Sequence, residues 1–149
     1  MLVGEAPGAQ EDETGRPFVG RGGQLLDKLL ADAGVARPQV AVANVLKCRP
    51  PGNRTPTRAE ARRCVGWLDR QVEQVDPLVV VTLGTTALAW ALGPGQRLGD
   101  VRGRLIDWRG RRLVATYHPS AALRFGPKGA PMAALGEDLA LAARTVELS

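Results

Sequence analysis

The chain has 149 residues, of which 44% are hydrophobic and 23% charged, which is typical of one globular domain with a single core. No apolar run reaches membrane-spanning length, and no signal peptide precedes the first motif. We therefore expect no membrane partner and a cytoplasmic location. The net charge of +5, with nearly all basic residues being arginine, favours an anionic partner such as nucleic acid, although codon bias gives the same composition.

Four short apolar runs are typical of buried strands, and four helical patterns alternate with them. The predicted strands are residues 2–4, 40–45, 78–83 and 113–117. The predicted helices are residues 24–33, 57–75, 85–92 and 131–146, and the second opens with a capping box formed by Thr57 and Glu60. A further strand or hairpin arm is expected at residues 104–108, with a turn at Arg109-Gly110. The alternation predicts a single α/β domain over residues 1–149, a three-layer α/β/α sandwich with a central, mainly parallel four-stranded sheet.

Polar residues follow the predicted strands at their carboxyl ends, where parallel sheets bind ligands. They are Glu5, Asn44, Thr85 with Thr86, and His118. We therefore expect them to meet at one rim of the sheet. Each also has an ordinary structural interpretation, since carboxylates and threonines cap helices, asparagine occurs in turns and a lone histidine is more often structural than catalytic.

The first strand runs into a glycine-rich segment that ends at residues 20–23, just before a helix whose N-terminus suits a phosphate. Phe18 is an apolar ring within this polar segment. It is either a plug that packs the loop onto the core or a platform on which a base stacks.

Three segments then resemble, in the correct order, the motifs of one enzyme family. They resemble the three motifs of the iron–sulfur, thermophile-type (family four) enzymes of the uracil-DNA glycosylase superfamily. The three segments are GEAPGAQEDETGRPFVGRGGQLLD, NVLKCRPPGNRTP and TYHPSAALR. The resemblance implies a DNA repair glycosylase that flips uracil out of DNA and hydrolyses its N-glycosidic bond, leaving an abasic site. It implies uracil-containing DNA as the partner, and we expect a monomer.

The same resemblance implies roles for individual residues. The catalytic residues are Glu5, beside the water and the developing sugar cation, and His118, beside the uracil carbonyl. The substrate-binding residues are Ala6, Phe18 and Asn44, of which Phe18 stacks on the extruded base and Asn44 reads its edge. The DNA-binding residues are expected to be Gly22, Thr85, Ser120, Leu123 and Arg124, and residues 120–124 are expected to form a loop that presses into the duplex.

The sequence departs from the family pattern at two places. Ala6 replaces a glycine common in the first motif, and its methyl group is expected to help exclude the C5-methyl of thymine.

Cys48 and Cys64 match two of the four cysteines that hold a structural [4Fe–4S] cluster in that family, and the upstream pair has no counterpart. A cluster held by protein thiolates needs about four of them, so a complete cluster site is not expected. The alternative interpretation of Cys64 is a core residue on the apolar face of its helix. Met1 stands at the start of the first strand, so either the chain begins abruptly or upstream residues have been lost.

Three alternatives remain open or are disfavoured at this stage. A truncated, catalytically impaired paralogue would bind DNA without excising bases. An unrelated α/β protein would bind free nucleotides at residues 20–23. A branch of the superfamily that links covalently to DNA uses a histidine in a loop near the second motif, and the corresponding residues 49–54 contain none, which disfavours it.

Overall fold

The computed structural model describes all residues, 1–149, and places a five-stranded sheet at the centre of the molecule. The strands are β1 (Leu2–Gly4), β2 (Val42–Asn44), β3 (Val79–Leu83), β4 (Ile106–Trp108) and β5 (Arg111–Thr116). Their order across the sheet is β2-β1-β3-β5-β4. The first three and β5 run parallel, as expected, while β4 pairs antiparallel with β5 at the edge.

The predicted number of four strands is therefore wrong, because the edge strand β4 is the fifth strand of the same sheet. Its hairpin closes through Arg109 and Gly110, which both have positive φ, 47° and 74°. Trp108 pairs directly with Arg111 across this two-residue turn. Positive φ at both central residues is the geometry that suits the twist of a two-residue hairpin, and the Arg109-Gly110 pair indicated the turn correctly.

Seven helices cover the sheet. They are α1 (Ala9–Thr14), α2 (Arg21–Asp32), α3 (Arg58–Val75), α4 (Thr85–Leu92), α5 (Leu98–Val101), α6 (Pro119–Phe125) and α7 (Ala130–Glu147). The four predicted helices correspond to α2, α3, α4 and α7. The other three are too short to show a helical period, which is why the sequence did not indicate them. None of the seven is long and apolar enough to cross a membrane.

The buried strand β3 separates two hydrophobic clusters. Val81 and Leu83 belong to the cluster that also contains Leu26 of α2 and Leu139 of α7. Val80 belongs to the second cluster, with residues of α3 and β2. Because successive side chains of a strand point to opposite faces, the two clusters lie on opposite sides of one sheet. The three-layer α/β/α architecture is confirmed.

Helix α3 begins where the sequence predicts, but its cap uses different partners. The Thr57 hydroxyl accepts the Glu60 backbone N–H at 3.1 Å, which is half of the expected capping box. The Glu60 carboxylate pairs with Arg54 at 2.7 Å. The preceding loop is thus fastened to the first turn of α3.

Candidate functional site

A cavity of about 420 Å³ lies beyond the carboxyl ends of β1 and β2, at the predicted rim. The site residues predicted from the sequence that line it are Glu5, Ala6, Phe18, Gly22, Asn44, His118, Ser120 and Leu123. Thr85 lines a neighbouring groove instead. Arg124 is exposed in the last turn of α6. The structure therefore brings the predicted catalytic and substrate-binding residues together in one cavity.

Phe18 is held in an unusual backbone conformation. Its φ is +51°, which is uncommon for a residue with a side chain, yet it is only 9% exposed. The Arg37 guanidinium donates to the Pro17 carbonyl at 2.8 Å and pairs with Asp27 at 2.7 Å. A Cβ on Gly23 would lie 1.7 Å from the Phe18 carbonyl oxygen, so only glycine permits this approach of α2.

Asn44 has a buried acceptor that no protein donor reaches. The side chain is 9% exposed and its Oδ1 atom makes no hydrogen bond. An unpaired buried acceptor costs roughly 1–3 kcal/mol, so it needs an explanation. A Cβ on Gly4 would lie 2.7 Å from this oxygen and 2.6 Å from Cζ of Phe18. The bare Gly4 backbone thus lets the amide and the ring converge, and a ligand N–H would satisfy Oδ1.

His118 is the N-cap of α6, and this contact fixes its proton. Nδ1 accepts the Ser120 backbone N–H at 3.1 Å and lies 2.9 Å from the Ser120 hydroxyl. Burial lowers the pKa of His118 to about 4, and the charge of Glu11 opposes this only in part. A neutral ring whose Nδ1 accepts carries its proton on Nε2. The imidazole is therefore a neutral Nε2–H donor at the cavity, with its ring centroid 5.7 Å from that of Phe18.

The Glu5 carboxylate is oriented by α4. The Thr86 hydroxyl donates to Oε2 of Glu5 at 2.6 Å. Thr86 lies in the first turn of α4, and β1 and β3 are adjacent in the sheet. The sequence suggested a helix-capping role for this threonine, whereas the structure gives it a contact with the predicted catalytic carboxylate.

Glu11 organises the glycine-rich segment, a function that sequence reasoning missed. Its Oε1 accepts the Gly8 N–H at 3.0 Å, and its Oε2 accepts the N–H groups of Val19 and Gly20 at 3.0 and 2.9 Å. One carboxylate thereby joins the start of α1 to the backbone just after Phe18. The only available signal was a glutamate three residues after Gly8, the spacing of a capping interaction.

The segment after His118 is a helix and not the predicted loop. Pro119 occupies the first position of α6, where its missing N–H costs nothing, and Gly126 ends the helix with φ 79°. Leu123 lines the cavity, and Arg124 is in the exposed last turn. The motif is too short for its helical period to appear in the sequence.

The two cysteines belong to no larger group of potential metal ligands. Cys48 is exposed and Cys64 is partly buried. No group of three or more histidine, cysteine, aspartate or glutamate side chains is placed to hold a metal ion. The donors of this chain therefore do not fit a four-thiolate cluster, and no chemistry is derived through one.

The fold and cavity define an α/β protein with a polar, aromatic-walled pocket at the carboxyl edge of a parallel sheet. The family described as the uracil DNA glycosylase superfamily matches residues 1–140. The chain belongs to the uracil DNA glycosylase superfamily.

Curated relatives agree with the resemblance to family four. The chain is 49% identical over 126 residues to a type-4 uracil-DNA glycosylase of Thermotoga maritima, covering 83% of this chain and 66% of that protein. It is 47% identical over 132 residues to a type-4 enzyme of Pyrobaculum aerophilum, covering 83% and 67%. A type-5 uracil-DNA glycosylase of Pyrobaculum aerophilum is 36% identical over 140 residues, covering 80% and 60%. The chain spans about two thirds of the length of these type-4 relatives.

Proposed function

We propose that this chain hydrolyses the N-glycosidic bond of uracil in DNA, after rotating the nucleotide out of the stack, and leaves an abasic site for repair. The observation that carries the proposal is the unpaired, buried Oδ1 of Asn44 in the same cavity as Phe18 and His118. Membership of the superfamily supports the same reaction.

Base recognition follows from the hydrogen-bonding pattern of the Asn44 amide. Its Oδ1 accepts the N3–H of uracil, and its amide nitrogen donates to O4. Cytosine presents the opposite pattern at these two positions and leaves Oδ1 unpaired. Extruding a base costs a few kcal/mol, and stacking on Phe18 returns about 1–3 kcal/mol.

Bond cleavage requires stabilisation of two developing charges. The leaving uracil gathers negative charge on O2, and the neutral His118 donates a hydrogen bond to it from Nε2. The sugar gains positive charge, and Glu5, held by Thr86 at 2.6 Å, stabilises that charge or orients the attacking water. None of these steps requires a metal or cofactor in the chemistry itself.

Ala6 lines the cavity beside Glu5 and is the proposed barrier to thymine. Its methyl group occupies space that the C5-methyl of thymine needs. We expect Ala6→Gly to raise thymine excision relative to uracil excision, measured on otherwise identical oligonucleotides. An unchanged ratio would assign the exclusion of thymine to another residue.

Contacts to the DNA flanking the uracil are proposed for residues in the cavity, in the neighbouring groove and on α6. They are Gly22, Thr85, Ser120, Leu123 and Arg124. Leu123 or Arg124, on α6, fills or braces the space that the extruded nucleotide leaves. We propose that residues 1–149 act as one glycosylase-like domain, and a monomeric state and cytoplasmic location stay predictions.

The decisive experiment is an excision assay on oligonucleotides that carry a single uracil, cytosine or thymine at the same position. Alkaline cleavage at the abasic product should appear with uracil only, and Asn44→Ala should abolish it. DNA binding without cleavage by the parental chain would instead support the impaired DNA-binding paralogue. Binding of free nucleotides alone would support the nucleotide-binding alternative.

A further inference from the structure

A second groove, of about 540 Å³, lies between α3 and the N-terminal end of α4. Three arginines line it: Arg58 and Arg62 on α3, and Arg109 in the turn between β4 and β5. No aspartate or glutamate is among its lining residues. The groove is thus a concave surface of one sign of charge, which attracts anions and concentrates them.

The two arginines of α3 are placed unfavourably for the isolated protein. Arg58 is the first residue of α3, at the positive end of the helix dipole, and Arg62 lies one turn further along the same face. Like charges at this spacing destabilise a helix. Both side chains are exposed, and neither forms a salt bridge. A bound anion relieves both repulsions.

Arg109 differs because it is held in place. Its guanidinium lies 4.5 Å from the ring centroid of Trp108 and pairs with Asp69 at 3.0 Å. Trp90 lines the groove beside it and donates from Nε1 to the same carboxylate at 3.1 Å. The groove therefore has one ordered cation and an aromatic wall at one side, and two unpaired cations at the other.

The groove adjoins the proposed uracil cavity. Thr86 lines the groove, and its hydroxyl donates to Glu5 of the cavity. The loop before α3 also lies between them, since Arg54 lines the cavity while Pro56 and Thr57 line the groove. A strand whose nucleotide enters the cavity thus has a basic path leading away from it.

We propose that this groove binds the sugar–phosphate backbone of the DNA strand that carries the uracil, with Arg58 and Arg62 as phosphate ligands. The assignment rests on the proposed function for its connection to excision. The groove is expected to bind DNA that lacks uracil as well, so its binding can be measured separately from excision. Guanidinium groups that bind phosphates release counterions, which makes the affinity depend on salt.

The test is fluorescence anisotropy with a labelled, uracil-free single strand, comparing the parental chain with the double variant Arg58→Gln/Arg62→Gln. We expect the Kd at low salt to rise at least about 10-fold. The slope of log affinity against log salt should fall by roughly 1.4, since each phosphate contact on a single strand contributes about 0.7. In single-turnover excision the loss should appear as a higher enzyme concentration at half-saturation, because neither arginine lines the cavity in which the bond is cleaved.

The matched control is Arg63→Gln/Arg144→Gln, which removes the same charge from two exposed arginines outside the groove. We expect it to change the affinity less than about 2-fold and the salt slope by less than about 0.5. Equal losses of DNA affinity in the two double variants would overturn the assignment of the groove, because they would show only a general effect of net charge. A parental chain that binds DNA but excises nothing refutes the proposed function and leaves the groove's assignment as a DNA-backbone site intact.

Discussion

Nδ1 of His118 accepts the backbone N–H of Ser120 at 3.1 Å, so the residue proposed to stabilise the leaving base also caps the helix that follows it. The bond has two consequences. It fixes the ring orientation, and it keeps the proton of the neutral imidazole on Nε2. Protonation of Nδ1 removes the acceptor, so the charge state of the ring and the first turn of α6 are coupled.

Replacing His118 by alanine should slow excision without preventing DNA binding. Removal of one preorganised donor to a developing oxyanion typically costs about 10²–10³ in rate. Single-turnover excision measures this loss, and anisotropy with uncleaved DNA measures binding. Ser120→Ala is the control, because it deletes the hydroxyl and keeps the backbone N–H that orients the ring; its loss should stay below about 10-fold. Parental turnover in His118→Ala would show that another group stabilises the uracil anion.

The pH dependence of stability and of excision should follow the protonation of the partly buried imidazole of His118. Burial lowers the pKa of His118 to about 4, below the usual value of about 6.5 for an unfolded chain. Between these values the unfolded chain binds the proton and the folded one does not. The free energy of unfolding therefore falls as the pH drops from about 6.5 to 4, and this contribution levels off below that.

Excision should accordingly keep its rate through pH 6.5 and fall only near pH 4, where Nδ1 becomes protonated and the cap is lost. The chain has a single histidine, so an NMR titration of its ring protons is unambiguous. A ring that titrates near pH 6.5 would contradict both the burial and the neutral donor.

The sequence predicted the parallel core and the four longest helices and, together with the family resemblance, eight of the residues that line the cavity. It succeeded because buried strands and amphipathic helices have periods that are visible locally, and because carboxyl ends of parallel strands meet at one edge. It failed at Glu11, whose partners Val19 and Gly20 are eight and nine residues away along an irregular segment. The α6 helix was missed for a related reason, since seven residues span only two turns.

Stability should depend strongly on one ion pair away from the cavity. Asp138 in α7 is 1% exposed, and Arg102 donates to its two oxygens at 2.9 and 2.6 Å. Arg102→Ala leaves a buried carboxylate without its counter-charge, which should cost about 3 kcal/mol in the free energy of unfolding. Urea denaturation measures the loss. The double variant Arg102→Met/Asp138→Leu should recover most of it, and failure to recover would show that the pair does more than neutralise a buried charge.

Two glycines next to Phe18 should respond differently to alanine. At Gly4 the added methyl meets Cζ of Phe18 at 2.6 Å and Oδ1 of Asn44 at 2.7 Å, both at the ends of side chains that can move. Gly4→Ala should therefore raise KM at least about 10-fold by misplacing two base contacts, at near-parental stability. At Gly23 the methyl meets the Phe18 backbone carbonyl at 1.7 Å, so Gly23→Ala should also lower stability by about 1–3 kcal/mol. Steady-state kinetics and thermal melts separate the two, and equal melting losses would refute the distinction.

Glu11 should act on catalysis through the backbone it holds. Its two carboxylate oxygens accept three N–H groups, from Gly8, Val19 and Gly20. Glu11→Gln keeps one acceptor oxygen and turns a donor amide toward backbone donors, which should cost about 1–3 kcal/mol for each N–H left unpaired. Since Phe18 immediately precedes Val19, we expect KM to rise more than kcat falls.

The control for this prediction is Asp12→Asn, a neighbouring acidic residue of α1 that is exposed and makes no side-chain hydrogen bond to the loop. It removes the same charge near the cavity and should leave both KM and stability near the parental values. If Asp12→Asn raised KM as much as Glu11→Gln does, the effect would be one of local charge on DNA binding. If the Glu11 carboxylate positions the stacking ring, the rise in KM should be confined to Glu11→Gln. It should be accompanied by faster amide hydrogen exchange at Val19 and Gly20.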